Sequence, residues 1–379
     1  MVLDSWYRPS GISSGWLNLN HMLLLSFVIF KLIHLSRNWL PIWDVSSYAF
    51  VLAFSCWFGF VTYRWLKRHP LASTIASYKK AVLISGCDSD LGNILARRLA
   101  HRGFRVLAGC SDPESPQAMK LQSISRVDVL SLDVTNQNSL DDTFRLVEMK
   151  LEESENDLWA VVALENLMEI GEMEWLPVDK MQRMLNVNVM GSVRMVKTFL
   201  RLLRKSRGRV VISSSAFGDA PFPGLVGYSV SQAAVSSLGR GLKRELAQWD
   251  IDVSVVQPSL YDTGLSRIAE RKTSFMREDL LELPEQLRGD YGHDYFIGFW
   301  NAMNRFVTDN ANPRCEEAVS ELVRAITTVW PETLYRAGSW RQVLFHNLLD
   351  YLPLELADFS MELLIKNQIE PEAVVAPAN

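Results

Sequence analysis

The chain has 379 residues, with 39 Lys and Arg against 43 Asp and Glu, 48% hydrophobic and 22% charged residues. That length is long for one domain and short for three, and the ordinary apolar fraction excludes a disordered or collagen-like chain. Cys56, Cys87, Cys110 and Cys315 lie far apart, and the six histidines show no ligand spacing, so neither a disulfide scaffold nor a metal site is indicated. Residues 1–70 hold six bases and two acids, a balance of +4 that leaves −8 for the rest of a chain whose total is −4. An acidic body has no electrostatic footprint for nucleic acid.

Two uncharged runs open the chain, from Gly11 to Phe30 and from Ser46 to Tyr63. At about 1.5 Å per residue, each nearly matches a hydrocarbon core of about 30 Å. The second run is followed at once by RWLKRHP, with Trp57, Tyr63 and Trp65 placed for an interface. The expectation is a membrane anchor over 1–70 with one or two transmembrane helices. Polar Asn18, Asn20 and His21 dilute the first run. A signal peptide is disfavoured, because no basic leader precedes the apolar run and no small-residue cleavage site follows it. The basic flank after Tyr63 places the body on the cytosolic side.

Beyond residue 78 the pattern becomes one of short apolar strands alternating with helices. AVLISG (81–86), FRVLAG (104–109), VDVLSL (127–132), LWAVVA (158–163), RVVISS (209–214) and DVSVVQ (252–257) read as strands. Helical periodicity fills 91–103, 139–153, 178–206 and 226–247. Near-continuous apolar strands between long helices predict a parallel sheet covered on both faces. The βαβαβ order, opening on a glycine-bearing turn, predicts an α/β doubly wound sheet of the Rossmann kind.

The first turn reads Ser85-Gly86-Cys87-Asp88-Ser89-Asp90-Leu91-Gly92, a strand, turn and helix start whose free N–H groups suit a phosphate. Further along come NVNVMG (186–191), ISSSAFG (212–218) and Tyr228, thirteen residues after Ser215. In this order the motifs resemble the short-chain dehydrogenase/reductase family. The resemblance runs from about Lys79 to Ser266, and is to the membrane-associated branch with retinol, 17β-hydroxysteroid and 3-hydroxybutyrate dehydrogenases. It implies that Ser85, Gly86 and Gly92 cradle a cofactor pyrophosphate and that Asp133 contacts the adenine. Asn188 would complete a proton relay, Ser215 orient the substrate oxygen and Tyr228 act as general acid/base. Pro258 and Thr263 would lie along the nicotinamide. It further implies NAD(P)-dependent exchange between a hydroxyl and a ketone on an apolar steroid, retinoid or lipid. A homodimer through the two long helices is also implied, with a location at the endoplasmic reticulum or, alternatively, a mitochondrial membrane. Asp112, near the end of the second strand, favours the free 2′-hydroxyl of NAD over NADP, unless it simply begins the turn SDPES.

Four departures from the family pattern meet at the cofactor. Gln232 stands four residues after Tyr228, where the family has lysine. Residues i and i+4 share a helix face. An ammonium about 4 Å from tyrosinate stabilises it by up to about 4 kcal/mol at an effective dielectric of 20. Glutamine has no charge to offer. Asp90 replaces a glycine, and at about 6 Å each unit of like charge on the pyrophosphate costs nearly 3 kcal/mol unless the carboxylate turns outward. Ala163-Leu164-Glu165-Asn166 replaces Asn-Asn-Ala-Gly, and Ser259 replaces a glycine. These changes predict weakened or lost activity, with a non-catalytic lipid sensor or partner-binding scaffold as the alternative. A hydrolase is disfavoured, since the serine run 213–215 ends a strand without the flanking glycines of a nucleophile elbow. Within a dehydrogenase domain over 78–338, the charged and aromatic segment 267–314 is long enough to be a lid. The apolar extension 339–379 either docks on the core or dips into the membrane.

Overall fold

The computed structural model describes residues 45–68, 74–261, 268–313, 315–349, 352–353, 355–359 and 371. The first expected span, Gly11–Phe30, therefore lies outside the described residues, as does Thr263. The chain divides into two compact units, Met1–Ala76 with Thr327–Trp330 and Ser77–Ile326 with Pro331–Asn379. The smaller contains helix α1 (Val45–Arg68), which takes in the whole second apolar run. On it Leu52, Phe54, Trp57, Phe58 and Phe60 are exposed. Among the described residues, no helix is long and apolar enough to cross a membrane.

The larger unit is built on seven parallel strands in the order β3-β2-β1-β4-β5-β6-β7. They are β1 (Lys80–Ile84), β2 (Arg105–Cys110), β3 (Val127–Ser131), β4 (Asp157–Ala163), β5 (Arg209–Ser213), β6 (Asp252–Pro258) and β7 (Leu334–Ala337). Strands β1, β2, β4, β5 and β6 are buried on both faces along nearly their whole length, which is why they read as unbroken apolar runs. Helices α2 (Asp90–His101), α3 (Pro116–Gln122) and α4 (Gln137–Glu153) connect the first four strands. Then α5 (Val178–Met184) passes through a π-helical turn (Leu185–Gly191) into α6 (Ser192–Ser206), and α7 (Val226–Leu246) precedes β6. The strand order reverses between β2 and β4, on either side of β1, and that switch point opens a crevice at the strands' carboxyl ends.

The expected lid is helical. It holds α8 (Ile268–Ser274), α9 (Glu285–Tyr291) and α10 (His293–Asn310). These share an aromatic core with the segment after β4. Trp175, 2% exposed, packs on Phe275, Phe296 and Phe299 at centroid distances of 4.9, 5.7 and 5.1 Å. Helix α11 (Glu316–Thr327) leads to β7, and α12 (Trp340–Leu349) follows it. Val343, Phe345 and Leu349 of α12 are half-buried, whereas Trp340, Leu344 and Leu348 are exposed. This part of the extension thus turns one side inward and leaves an apolar side open.

Trp175→Ala removes the ring around which the helical segment packs, and truncations of this kind cost about 3–5 kcal/mol. Denaturant unfolding followed by the near-ultraviolet signal of the aromatic core is expected to show that loss. A change below about 1 kcal/mol would contradict the packing described.

Candidate active site

The turn after β1 is shaped by two glycines. Gly86 has φ +67, which glycine adopts without strain. A Cβ on Gly92 would lie 2.3 Å from the Gly86 carbonyl oxygen, so only glycine lets α2 start this close to the turn. Ser89 caps the helix: its Oγ accepts from the Gly92 N–H (3.1 Å) and donates to the Gly86 carbonyl (2.7 Å). Asp90 is exposed in the first helical turn, where the helix dipole favours a carboxylate.

A cavity of about 740 Å³ lies at the switch point. Among the expected residues, Gly86, Asp90, Asp133, Ser215, Tyr228 and Pro258 line it. Four others do not. Ser85 is buried between strands, its hydroxyl donating to the Val162 carbonyl (3.2 Å) and accepting from the Leu164 N–H (3.3 Å). Gly92 packs behind the turn. Asn188 and Gln232 are buried in the wall. Asp112 is also absent from the lining, and its carboxylate accepts from the Glu114 N–H (3.0 Å), which makes it the start of the SDPES turn. The acid that faces the cavity there is Asp88. Its Oδ2 accepts from the backbone N–H of Ser111 (3.0 Å) and Asp112 (3.3 Å) and from the Ser111 hydroxyl. Asp133 accepts from the Thr135 N–H and hydroxyl (2.8 and 2.7 Å) and has an exposed flank in the cavity.

At the other end, Tyr228 is 3% exposed and packs with Leu176, Met184 and Phe217. Burial raises its phenol above the usual tyrosine range, while hydrogen bonds with Ser215 and Asn166 pull the other way. Among the described residues, no cation acts on it. Gln232 Nε2 donates to Asn166 Oδ1 (3.3 Å), its own Oε1 is buried without a partner, and its backbone carbonyl accepts from the Ser214 hydroxyl (2.8 Å). Asn166 therefore links the phenol to the residue standing where the family has lysine, a neutral bridge that sequence reasoning treated only as bulk. Asn188 sits in the π-helical turn, a local widening that often marks functional sites. Its side chain clasps Leu167, accepting from the N–H (2.7 Å) and donating to the carbonyl (2.8 Å), and donates to Ser231 Oγ (2.9 Å).

Glu165 enters between these two ends. Neither of its buried carboxylate oxygens has a partner in good hydrogen-bond geometry, and its carboxyl is pushed up to about 7, chiefly by burial, against the pull of the Ser85 hydroxyl and its own backbone N–H and with a further push from Asp88. Arg183 and Arg271 are the cations of the lining; Arg271 is engaged with Glu169 (3.6 Å) and with the Met168 carbonyl.

A sequence model of the short chain dehydrogenase family matches residues 80–273. Human 17-beta-hydroxysteroid dehydrogenase type 6 is 32% identical over 296 residues, covering 78% of this chain and 91% of its own. The chain belongs to the short-chain dehydrogenase family. Mouse retinol dehydrogenase 16 is 31% identical, over 77% of this chain and 90% of its own. A short-chain dehydrogenase of Burkholderia cenocepacia J2315, solved in complex with NADP, superposes with a TM-score of 0.53 at 19% identity, over 74% of this chain and 96% of its own. The family's reaction is oxidoreduction with a nicotinamide dinucleotide.

The cradle here fits such a group in shape. Gly86 and Gly92 leave the turn open to close approach, the start of α2 supplies backbone donors, and the cavity runs from that turn to Tyr228. Charge opposes it, since Asp88 and Asp90 stand at the same turn. The residues thus fit a dinucleotide in shape, with two carboxylates opposing it in charge.

Asn188→Ala deletes three buried hydrogen bonds at about 1 kcal/mol each and leaves the Leu167 amide unpaired. Chemical denaturation is expected to show a loss of about 2–3 kcal/mol. A neutral substitution would mean that the clasp on Leu167 does not support the site.

Proposed function

We propose that this protein is a membrane-associated oxidoreductase of feeble activity, acting on a hydroxyl or ketone of an apolar steroid, retinoid or lipid. The observation that carries the reading is the neutral surroundings of Tyr228, with Gln232 and Asn166 where the family has a charged lysine. Leu167, Met168, Phe217 and Leu260 line the end of the cavity around Tyr228, which suits an apolar substrate. The substrates named for the relatives are of that class. The apolar residues exposed on α1 and α12 support attachment to a bilayer, where such molecules partition. Asp88, fixed at the end of β2, supports NAD over NADP, because a 2′-phosphate would meet its charge.

When bound, a nicotinamide supplies or accepts hydride; the proton is this chain's responsibility. Ser215 and Tyr228 both line the cavity and are hydrogen-bonded to each other, which supports a shared role in holding one substrate oxygen. A phenol held above its usual range keeps its proton at neutral pH, so it can protonate the oxygen of a ketone being reduced. The reverse step needs tyrosinate, which is scarce without a neighbouring charge. The site therefore favours reduction. A lipid-sensing role without turnover is the second reading, favoured by Leu164 and Glu165 in place of the small residues of the family.

Gln232→Lys restores the missing charge. It is expected to lower the Tyr228 pKa, move the pH–rate profile of alcohol oxidation toward neutrality and raise turnover by about tenfold to a thousandfold, the range that up to about 4 kcal/mol allows. Adding Asp90→Gly should strengthen NADH binding by about tenfold or more, read by tryptophan fluorescence. Brisk NAD-dependent turnover of a lipophilic alcohol by the unmodified protein, abolished by Tyr228→Phe, would overturn the claim of feeble activity. No turnover by any of these proteins would favour the sensor.

A further inference from the structure

Glu165 is the one cavity-lining acid whose carboxylate is shut away from solvent and unpartnered among the described residues. It leaves the end of β4 directly after Leu164, whose carbonyl oxygen lies 3.6 Å from where a Cβ on Gly86 would stand. The segment bearing Glu165 thus presses against the pyrophosphate turn. The groups acting on its carboxyl are Ser85 at the end of β1 and Asp88 in the turn, with the Cys87 thiol on the same turn also sensing it. Ser85 spends its proton on the Val162 carbonyl, and Asp88 is held in place by the N–H groups of Ser111 and Asp112. Among the described residues no cation offsets the carboxylate: Arg271 is committed to Glu169, and neither Arg183 nor Arg271 acts on it.

A buried carboxylate in such a place has two stable arrangements. Neutral, it stays where it is and leaves the cradle with the charges of Asp88 and Asp90 alone. Ionised, it must reach water, and the water next to it is the cavity, so a third negative charge enters the space that a pyrophosphate needs. We propose that Glu165 is a protonation-controlled gate on the dinucleotide cradle, which admits NAD(H) when Glu165 carries a proton and takes up that proton as the nucleotide binds. This rests on the reading that the cavity accepts a nicotinamide dinucleotide. A carboxyl that titrates at about 7 sets the gate within the range where cells vary their pH.

The test is calorimetric titration of NADH into the full chain in nanodiscs, from about pH 6 to about pH 8, in two buffers of different ionisation enthalpy. If the neutral form alone binds, the apparent Kd rises about tenfold between those limits, and the buffers report uptake of up to one proton. Glu165→Gln should bind with the affinity of the acid limit at every pH and take up none. A second readout needs no nucleotide. The folded state holds its proton above the ordinary carboxylate pKa, so the melting temperature should fall between about pH 4.5 and pH 7 relative to Glu165→Gln and level off beyond. NADH binding with a flat pH profile, or the same profile in Glu165→Gln, overturns the gate and leaves the cofactor reading intact. Absence of NADH binding to both proteins at every pH, with the melting difference present, overturns the cofactor reading and the gate with it. A melting difference that does not depend on pH shows that Glu165 is not held as described.

Discussion

A phenol buried among Leu176, Met184 and Phe217 has, among the described residues, only the neutral hydrogen bonds of Ser215 and Asn166 to ease a negative charge. The rest of the site follows from that. Where a relative with lysine has a proton-transfer group tuned by an ammonium, this chain has an amide network running from Tyr228 through Asn166 to Gln232. Amides orient and satisfy; they do not shift an equilibrium by several kcal/mol as a charge does. The fold brings Ser215 and Tyr228 into one cavity with the glycine turn, while Gln232 supplies no charge behind them.

The acidic end repeats the theme with the opposite sign. A helix N-terminus at a strand switch point is a natural anion site, yet its surroundings are negative. Asp90 stabilises the helix it begins, and Asp88 satisfies two backbone donors at the end of β2. Each carboxylate has a local structural reason. Their sum is a cradle whose shape invites a pyrophosphate and whose charge resists it, so affinity here is governed by any group able to change its charge. Glu165 is placed to do so.

The sheet was legible because burial on both faces writes itself as unbroken apolar runs, and β1 to β6 fall within a residue or two of where VLI, VLAG and VVIS place them. β7 escaped because its four residues, LYRA, alternate in burial and carry no such run. Ser215 and Tyr228, singled out through the family resemblance, both line the cavity. Other residues of the site were not legible. Asp112 looks like the acid at the end of β2, but the chain turns there and Asp88, from a different loop, takes the place through hydrogen bonds that span 23 and 24 residues. Asn166 and Glu165 lie in a segment whose sequence shows only added bulk; that one bridges to Gln232 while the other is sealed without a partner depends on tertiary packing. Membrane association stays an inference from exposed apolar side chains on α1 and α12.

Some of the unmet hydrogen-bonding capacity of this molecule gathers at the cavity. Among the described residues, the carboxylate of Glu165 and the hydroxyl of Tyr261 are buried without partners in the cavity wall, and Gln232 Oε1 is unpartnered just behind it. Each such group costs about 1–3 kcal/mol that an apolar side chain would not. An inert scaffold has no reason to carry that cost where its relatives bind ligands, since drift toward leucine or alanine would relieve it. Polar atoms left unsatisfied around one cavity are what a site looks like when its hydrogen bonds are reserved for something that enters. By that reasoning the four departures from the family pattern fit a pocket re-tuned in charge better than a pocket abandoned, which is the reading on which the proposed gate at Glu165 rests.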